Sequence, residues 1–157
     1  MQVDLVDATR EDLPSLFHWM RQLRTVDPMS SESVVPTSAP RTAMEQLISD
    51  PSAGRVWIIR ADGHSIGYVI LVFSFSVEFG GRTAFVDELY IDERWRGRGV
   101  GKLVLEQITD RARQLRVQNL LLEVTESNTP ARRLYERAGF ADRPYRLMTR
   151  WIGKEEP

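Results

Sequence analysis

The residues best suited to chemistry lie in a glycine-rich segment, Arg96-Gly97-Arg98-Gly99-Val100-Gly101-Lys102. Glycines have no Cβ, so consecutive backbone N–H groups can turn toward one point, and a helix that opens here adds the partial positive charge of its N-terminus. The side chains of Arg96, Arg98 and Lys102 add full positive charges. The segment therefore predicts a site for a pyrophosphate group.

Two nucleotide-binding motifs and one structural alternative compete for this segment. A P-loop requires Ser or Thr after the Gly-Lys pair, but Leu103 follows Lys102. A dinucleotide motif would use Gly97 and Gly99, with Glu123 as the ribose-binding acid, but Lys102 stands where its third glycine belongs. An ordinary tight strand-to-helix turn remains the alternative that binds nothing.

A second informative segment runs from Asn128 to Phe140. Thr129 is a suitable N-cap and Pro130 suits the first helical position, so the segment predicts a helix over 130–138 that Gly139 closes. On its own, Tyr135 would be an ordinary residue of this amphipathic helix.

The remaining patterns predict the elements that must position these segments. An antiparallel meander is expected before the glycine-rich turn, and alternating strands and helices are expected after it. We predict strands at 2–6, 55–60, 65–74, 83–91, 119–124 and 145–152, helices from residue 10, at 41–49, from the glycine-rich segment and at 130–138, and an irregular loop at 27–40.

Composition limits the possible functions. The 157 residues predict one domain over 1–157, and a net charge of −1 argues against nucleic-acid or membrane partners. The absence of cysteine excludes a cysteine nucleophile and a disulfide framework, and two histidines predict no metal site. Residues 1–4 carry no signal-like pattern, which favours a cytoplasmic location.

The two segments together identify a family resemblance. The pattern N-x-x-A-x-x-L-Y-E-x-x-G-F, downstream of R-x-x-G-x-G, resembles the paired signature of GNAT acetyltransferases. The resemblance implies an α/β (α+β) fold with a mixed, mostly antiparallel sheet flanked by helices. Strands 84–91 and 119–125 would splay apart to admit the co-substrate, acetyl-CoA, and no metal is implied.

The resemblance also implies roles for individual residues. Backbone groups of the strand before the turn would bind the pantetheine arm, amides of the turn would hold the pyrophosphate, and one tyrosine would face the sulfur. The corresponding residues are Leu89, Tyr90 and Ile91 in the strand, Arg96, Gly97, Arg98, Gly99, Val100, Gly101 and Lys102 in the turn, Asn128 beside the pantetheine, and Tyr135 as proton donor.

Asp87 and Glu88 are the candidates for the general base. An alkylamine has a pKa near ~10, so a base must take a proton from it before or during attack. Strict alternation places the two carboxylates on opposite faces of their strand, with Val86 and Tyr90 on the face of Glu88. Asp87 is preferred because it matches the catalytic acid of diamine acetyltransferases, and the alternative is that both carboxylates are structural or bind substrate.

The stretch 63–101 looks most like the diamine and polyamine branch, which implies a small primary amine as acceptor, bound by residues 24–40 and 74–82. Without cysteine, direct attack in a ternary complex is expected. The alternatives are a CoA-binding module without turnover, an acetyltransferase of proteins or peptides, and a dinucleotide-binding oxidoreductase. The resemblance also allows a homodimer.

Overall fold

The computed structural model describes residues 1–26, 39–150 and 152, and its centre is a five-stranded sheet in the order β1-β2-β3-β4-β5. The strands are β1 (Val3–Asp7), β2 (Gly54–Ala61), β3 (His64–Ser76), β4 (Gly81–Ile91) and β5 (Leu120–Leu122). The first four strands pair antiparallel and β5 runs parallel to β4, so the predicted mixed, mostly antiparallel sheet is confirmed.

Four α-helices flank the sheet. They are α1 (Leu13–Val26), α2 (Ala39–Ser49), α3 (Val100–Gln114) and α4 (Thr129–Arg137), with short 3₁₀ turns at Arg10–Asp12 and Glu93–Trp95. Because α3 opens at the glycine-rich segment and α4 follows β5, the two sequence motifs lie on consecutive helices of the fold.

Each face of the sheet carries its own apolar core. On one face α3 packs through Val104 and Ile108, and Leu134 of α4 packs against the same cluster. On the other face α1 and α2 cover Tyr68 and Tyr90. Trp57 is buried in the first core and Trp19 in the second, and Phe17 is half-buried against the second cluster.

The strands β4 and β5 part after a short paired stretch. Their register joins residues 84–86 to 120–122, and the remaining residues of β4, 87–91, lie beyond that pairing. A strand paired on one side turns alternate N–H and C=O groups toward its open side. The predicted splay is therefore present, and it leaves backbone donors and acceptors along 87–91 facing the gap.

A β-bulge interrupts β4 at the start of this gap. Ile70 of β3 pairs with Glu88 and Leu71 pairs with Val86, so Asp87 is an extra residue without a partner. The bulge resets the alternation: Val86 packs into the core under α3, whereas Tyr90 packs into the core under α1. The prediction that Val86, Glu88 and Tyr90 share one face, opposite to Asp87, is therefore wrong.

Predictions for three other segments differ from the structure in whole or in part. Residues 145–150 form no strand, and Tyr145 and Met148 are 70% and 91% exposed, because a strand needs a paired neighbour and the described part of this segment has none. The strand expected at 119–124 covers only Leu120–Leu122. Of the irregular loop expected at 27–40, residues 27–38 lie outside the described residues, and 39–40 begin α2.

Candidate active site

The glycine-rich turn, residues 96–102, follows the 3₁₀ turn and includes the first three residues of α3. Gly97 and Gly99 have φ angles of +71° and +81°, which side-chain-bearing residues rarely adopt. Gly99 is the N-cap of α3, so the amides that follow it point out of the helix end without intrahelical acceptors. This backbone fits a pyrophosphate group, because it directs several N–H donors and the helix dipole to one place.

Gly101 serves a different purpose from the other two glycines. A Cβ built on it would lie 2.8 Å from Cδ2 of Leu134, whereas nothing lies within 4 Å of a Cβ at Gly97 or Gly99. Real Cβ atoms do not come this close to a neighbour, so the missing side chain lets α4 pack onto the first turn of α3. The glycine-rich turn therefore also sets the position of α4.

The three basic side chains of the turn all have neighbours within the protein. Arg96 Nε donates to the carbonyl of Ile91 at 2.7 Å, and its guanidinium lies 5.4 Å from the Tyr90 ring centroid. Arg98 lies 5.4 Å over the Trp95 ring, and Lys102 pairs with Glu106 at 3.6 Å. Since the Lys102 pair is solvent-exposed, it is weak and leaves that cation available to an anion. The Ile91 carbonyl, in contrast, is already engaged.

Asn128 is the N-cap of α4. Its Oδ1 accepts a hydrogen bond from the amide of Ala131 at 3.3 Å, and the helix starts at Thr129. The cap was predicted at Thr129 and is therefore one residue earlier, because the Asn128 side chain reaches the third residue after it. Its side-chain NH₂ group is the part left to approach a ligand.

Tyr135 lies on the face of α4 that packs against the core under α3. Its ring is half-buried and meets Phe140 edge-on, with 5.9 Å between ring centroids. Rigid packing of this kind fixes where the phenol points. The two signature segments are thus joined through the α3–α4 contact, with Tyr135 one residue after Leu134.

Three carboxylates lie where β4 and β5 part. Asp87 occupies the bulge, and among the described residues its side chain makes no hydrogen bond or ion pair. Its side chain is exposed to solvent, and partial desolvation by the surrounding protein raises its pKa above the ordinary 3.8. Burial also raises the pKa of Glu123, the residue after β5, and the charge of Asp87 raises it further, which places the two carboxylates near each other across the gap.

Glu88 differs from Asp87 because it has a partner. Its Oε2 accepts a hydrogen bond from the Tyr68 hydroxyl at 2.6 Å. Burial is the largest influence on the pKa of Glu88 and raises it. The hydrogen bond from Tyr68 lowers this pKa, the charge of Asp87 raises it, and the charge of Arg24 in α1 lowers it. Asp87 and Glu88 interact electrostatically, and because of the bulge strict alternation does not determine the relative directions of their side chains.

Sequence reasoning missed Tyr68, and it considered Arg24 only within a stretch expected to line the acceptor pocket. Tyr68 stands inside a continuous apolar run, where nothing distinguishes a hydroxyl that reaches a carboxylate from an ordinary buried ring. Of the two expected acceptor-lining stretches, residues 27–38 lie outside the described residues, and Phe75 in the other stretch is 77% exposed.

The described residues contain neither a cluster of metal ligands nor a membrane-spanning helix. Within 1–26, 39–150 and 152, no three acidic, histidine or cysteine side chains come together in a way that could hold a metal ion. In the same part of the chain, none of the helices has the length and apolar character needed to cross a membrane.

Comparison with known proteins decides the family. The acetyltransferase (GNAT) family model matches residues 13–140. The chain belongs to the GNAT family. This match includes both signature segments, the bulged strand and the helices that position them.

Curated relatives of this GNAT chain match over shorter stretches. The spermine/spermidine N(1)-acetyltransferase of Bacillus subtilis (strain 168) is 37% identical over 57 residues, 36% of this chain and 38% of that protein. The streptothricin acetyltransferase of Streptomyces lavendulae is 30% identical over 83 residues, 53% of this chain and 42% of that protein. Both matches span less than half of the relative's own length.

Solved structures match this GNAT chain over nearly its whole length. An integron cassette protein from a salt-marsh metagenome has a TM-score of 0.78 at 28% identity, with 96% of this chain and 91% of that chain covered. A possible acetyltransferase from Clostridium difficile 630 has a TM-score of 0.80 at 14% identity, covering 97% and 99%. The latter likeness supports the fold alone.

Proposed function

We propose that this GNAT protein transfers an acetyl group from acetyl-CoA to a primary amine of a small molecule by direct attack in a ternary complex. One observation carries the proposal: the carboxylates of Asp87 and Glu88 lie at the β4 bulge, where the strands part and the glycine-rich turn follows. A proton-accepting site thus adjoins an anion-binding helix end, as transfer from a CoA thioester to an amine requires.

The donor would be held by backbone groups and by two exposed cations. Amides of residues 97–102 would bind the pyrophosphate, with added charge from Arg98 and Lys102. Residues 89–91 of β4 would meet the pantetheine through their open side, and the Asn128 side-chain amide would reach it from α4. Arg96 would act through Ile91 by fixing the end of the strand.

Acetyl-CoA supplies an acyl carbon that is open to attack and a thiolate as leaving group. The amine nitrogen forms a bond to that carbon as the carbon–sulfur bond breaks, and the amine loses one proton. Asp87 would accept this proton directly or through water, since its carboxylate has no partner among the described residues and partial desolvation raises its pKa. A β4 amide near Ile91 would hold the carbonyl oxygen.

Tyr135 would give its proton to the departing sulfur. Its half-buried ring is held by Phe140 and by the α3–α4 contact, so its hydroxyl has a defined position. A proton donor that is fixed before reaction supplies its full effect without reorganisation. Asp87 would then release its proton to solvent, and solvent would return a proton to the phenol, which leaves both side chains as they began.

A cationic small amine suits the acceptor side. Asp87, Glu88 and Glu123 place negative charge at the gap, and a cationic ligand would stabilise their charged forms. The named activities of the relatives on spermine, spermidine and streptothricin support an amine but do not agree on which one. We favour a diamine or polyamine.

The test is an acceptor screen. The protein is incubated with acetyl-CoA and a panel of diamines, polyamines, aminoglycosides, amino acids and peptides, and acetylated products are identified by mass spectrometry. We expect acetylation of at least one small primary amine. Tight acetyl-CoA binding without any acetylated small amine would contradict the proposal and favour a CoA-binding module, and acetylation of peptides alone would favour a peptide acetyltransferase.

A further inference from the structure

Tyr68 is a buried tyrosine to which the proposed chemistry gives no role. It lies in β3 opposite Tyr90 and has no exposed surface. Its ring lies beside those of Trp19 and Tyr90, with 6.3 Å between the centroids of each pair. Because the ring is fully buried in this cluster, the packing under α1 holds it in place and sets the position of its hydroxyl.

The Tyr68 hydroxyl donates a hydrogen bond to Glu88. The 2.6 Å hydrogen bond to Oε2 is short, as expected for a hydroxyl that donates to a carboxylate. The charged and titratable groups that act on Glu88 are Tyr68 from β3, Asp87 from β4 and Arg24 from α1. Of these, Tyr68 alone makes a hydrogen bond to the carboxylate, so it determines the orientation of that group within the described structure.

The hydrogen bond leaves half of the carboxylate unused. Oε1 of Glu88 makes no hydrogen bond or ion pair to any described residue. A carboxylate offers about four lone-pair positions, so the second oxygen can accept N–H groups from a ligand. Neither oxygen of Asp87, the preceding residue, makes a hydrogen bond to a described residue. Glu88 is therefore the oriented carboxylate that can bind a ligand, and Asp87 is the unoriented one that can accept a proton.

We propose that Tyr68 is a positioning residue that acts through Glu88. Its buried hydroxyl orients the Glu88 carboxylate, so that Oε1 binds the acceptor amine beside Asp87. The inference rests on the proposed acetyl transfer to an amine. In this arrangement Glu88 orients the nitrogen and Asp87 takes its proton. Asp87 and Glu88 are consecutive residues at the bulge, where β4 and β5 part, and the charge of Asp87 acts on Glu88, so one ligand nitrogen can meet both groups.

The first test needs no ligand. The side-chain carboxyl carbons of glutamate are labelled with ¹³C, the Glu88 signal is assigned by its loss in Glu88→Gln, and its pKa is measured in wild type and Tyr68→Phe. Since the hydroxyl stabilises the charged form, Tyr68→Phe should raise the Glu88 pKa. Tyr145→Phe, which removes the hydroxyl of an exposed tyrosine, should leave it unchanged. An unchanged Glu88 pKa in Tyr68→Phe overturns the positioning role.

The second test is a double-variant cycle with an amine from the acceptor screen. Tyr68→Phe should lower kcat/KM for the amine about 10- to 100-fold through a higher amine KM, the range expected for a hydrogen bond to a charged group. In the Glu88→Gln background the same change should cost little. An equal loss in both backgrounds overturns action through Glu88, even if the pKa moves. If Tyr68→Phe does not fold, Glu88→Asp withdraws the carboxylate from the hydroxyl and should raise the amine KM likewise.

The two tests separate this inference from the proposed function. A wild-type protein that acetylates no amine contradicts the proposed function, and the acceptor role of Glu88 falls with it, whatever the NMR result. An active protein whose Glu88 titration ignores Tyr68 contradicts only the inference.

Discussion

Gly101 at the start of α3 lies against Leu134 of α4 so closely that a Cβ would come within 2.8 Å of Cδ2. This contact joins the anion-binding turn to the helix that carries Tyr135. A side chain at Gly101 would therefore displace the end of the Leu134 side chain or the helix that carries it.

Gly101→Val should move α4 away from α3 and destabilise the protein by about 1–3 kcal/mol, the usual cost of overpacking. Leu134→Ala in the same chain should recover part of that loss, because it empties the space that the new side chain needs. Urea unfolding of the two single variants and the double variant measures the coupling. Strictly additive losses would contradict the contact.

Gly99→Ala tests the anion-binding turn without a steric clash, since nothing lies within 4 Å of the added Cβ. Placing a side chain at a φ of +81° should cost roughly 1–2 kcal/mol of stability and distort the turn. Calorimetry should show weaker binding of CoA and acetyl-CoA alike, because both carry the pyrophosphate.

The matched control is Gly63→Ala at the β2–β3 turn, where φ is +82° and the space is equally open. It should lose similar stability and keep its CoA affinity. Equal CoA affinities in the two variants would remove the turn from the binding site.

Tyr135→Phe should reduce kcat by about 10²–10⁴-fold, the range for loss of a general acid, and leave the dissociation constant for acetyl-CoA nearly unchanged. The phenyl ring keeps its edge-on contact with Phe140, so the helix should remain in place. Tyr145→Phe serves as the control hydroxyl deletion and should retain full kcat. If Tyr135→Phe changes only the KM for acetyl-CoA, the hydroxyl binds the donor and does not donate the proton.

The raised pKa of Asp87 predicts a particular dependence of stability on pH. A carboxyl whose folded pKa exceeds its ordinary 3.8 contributes stability below pH 3.8 and loses it as pH rises through the folded pKa. Because the side chain is exposed, solvent screens this effect and it should be small. Asp87→Asn should therefore slightly raise the free energy of unfolding at pH 7 and leave it nearly unchanged at pH 3, as measured by urea unfolding across pH.

Asp50 provides a control of opposite sign. Hydrogen bonds from Ser52 hold the pKa of this exposed carboxyl below 3.8, so its contribution is present above that pH and is lost on acidification through the lowered value. Asp50→Asn should lower stability at neutral pH. A destabilising Asp87→Asn at pH 7 would contradict the electrostatic description of the gap. A stabilising Asp50→Asn at pH 7 would contradict the role given to the Ser52 hydrogen bonds.

The sequence predicted the elements that surround the candidate site because their signals are local. The glycines that require positive φ and the Asn128–Phe140 spacing are both short-range patterns, and the splay of β4 and β5 followed from the resemblance they support. The bulge at Asp87 was invisible, since one extra residue in a strand leaves no mark when its neighbours are apolar on both faces.

Other features depend on tertiary neighbours that no local pattern encodes. Tyr68 is distinguished only by the hydrogen bond from its hydroxyl to Glu88, twenty residues later in the chain. Gly101 resembles Gly97 and Gly99 in sequence, but it lies inside α3 and against Leu134, whereas the other two have positive φ angles and open surroundings. The strand expected at 145–152 failed in its described part because strand formation is decided by the presence of a partner rather than by composition.

The most direct test of acetyl transfer follows CoA release and protein mass together, with and without an amine from the screen. On mixing with acetyl-CoA alone, the protein should release no stoichiometric burst of CoA, and its intact mass should stay unchanged. Adding the amine should start CoA release matched one to one by acetylated amine. A burst of CoA with an acetylated protein, or CoA release that does not depend on the amine, would contradict direct transfer in a ternary complex.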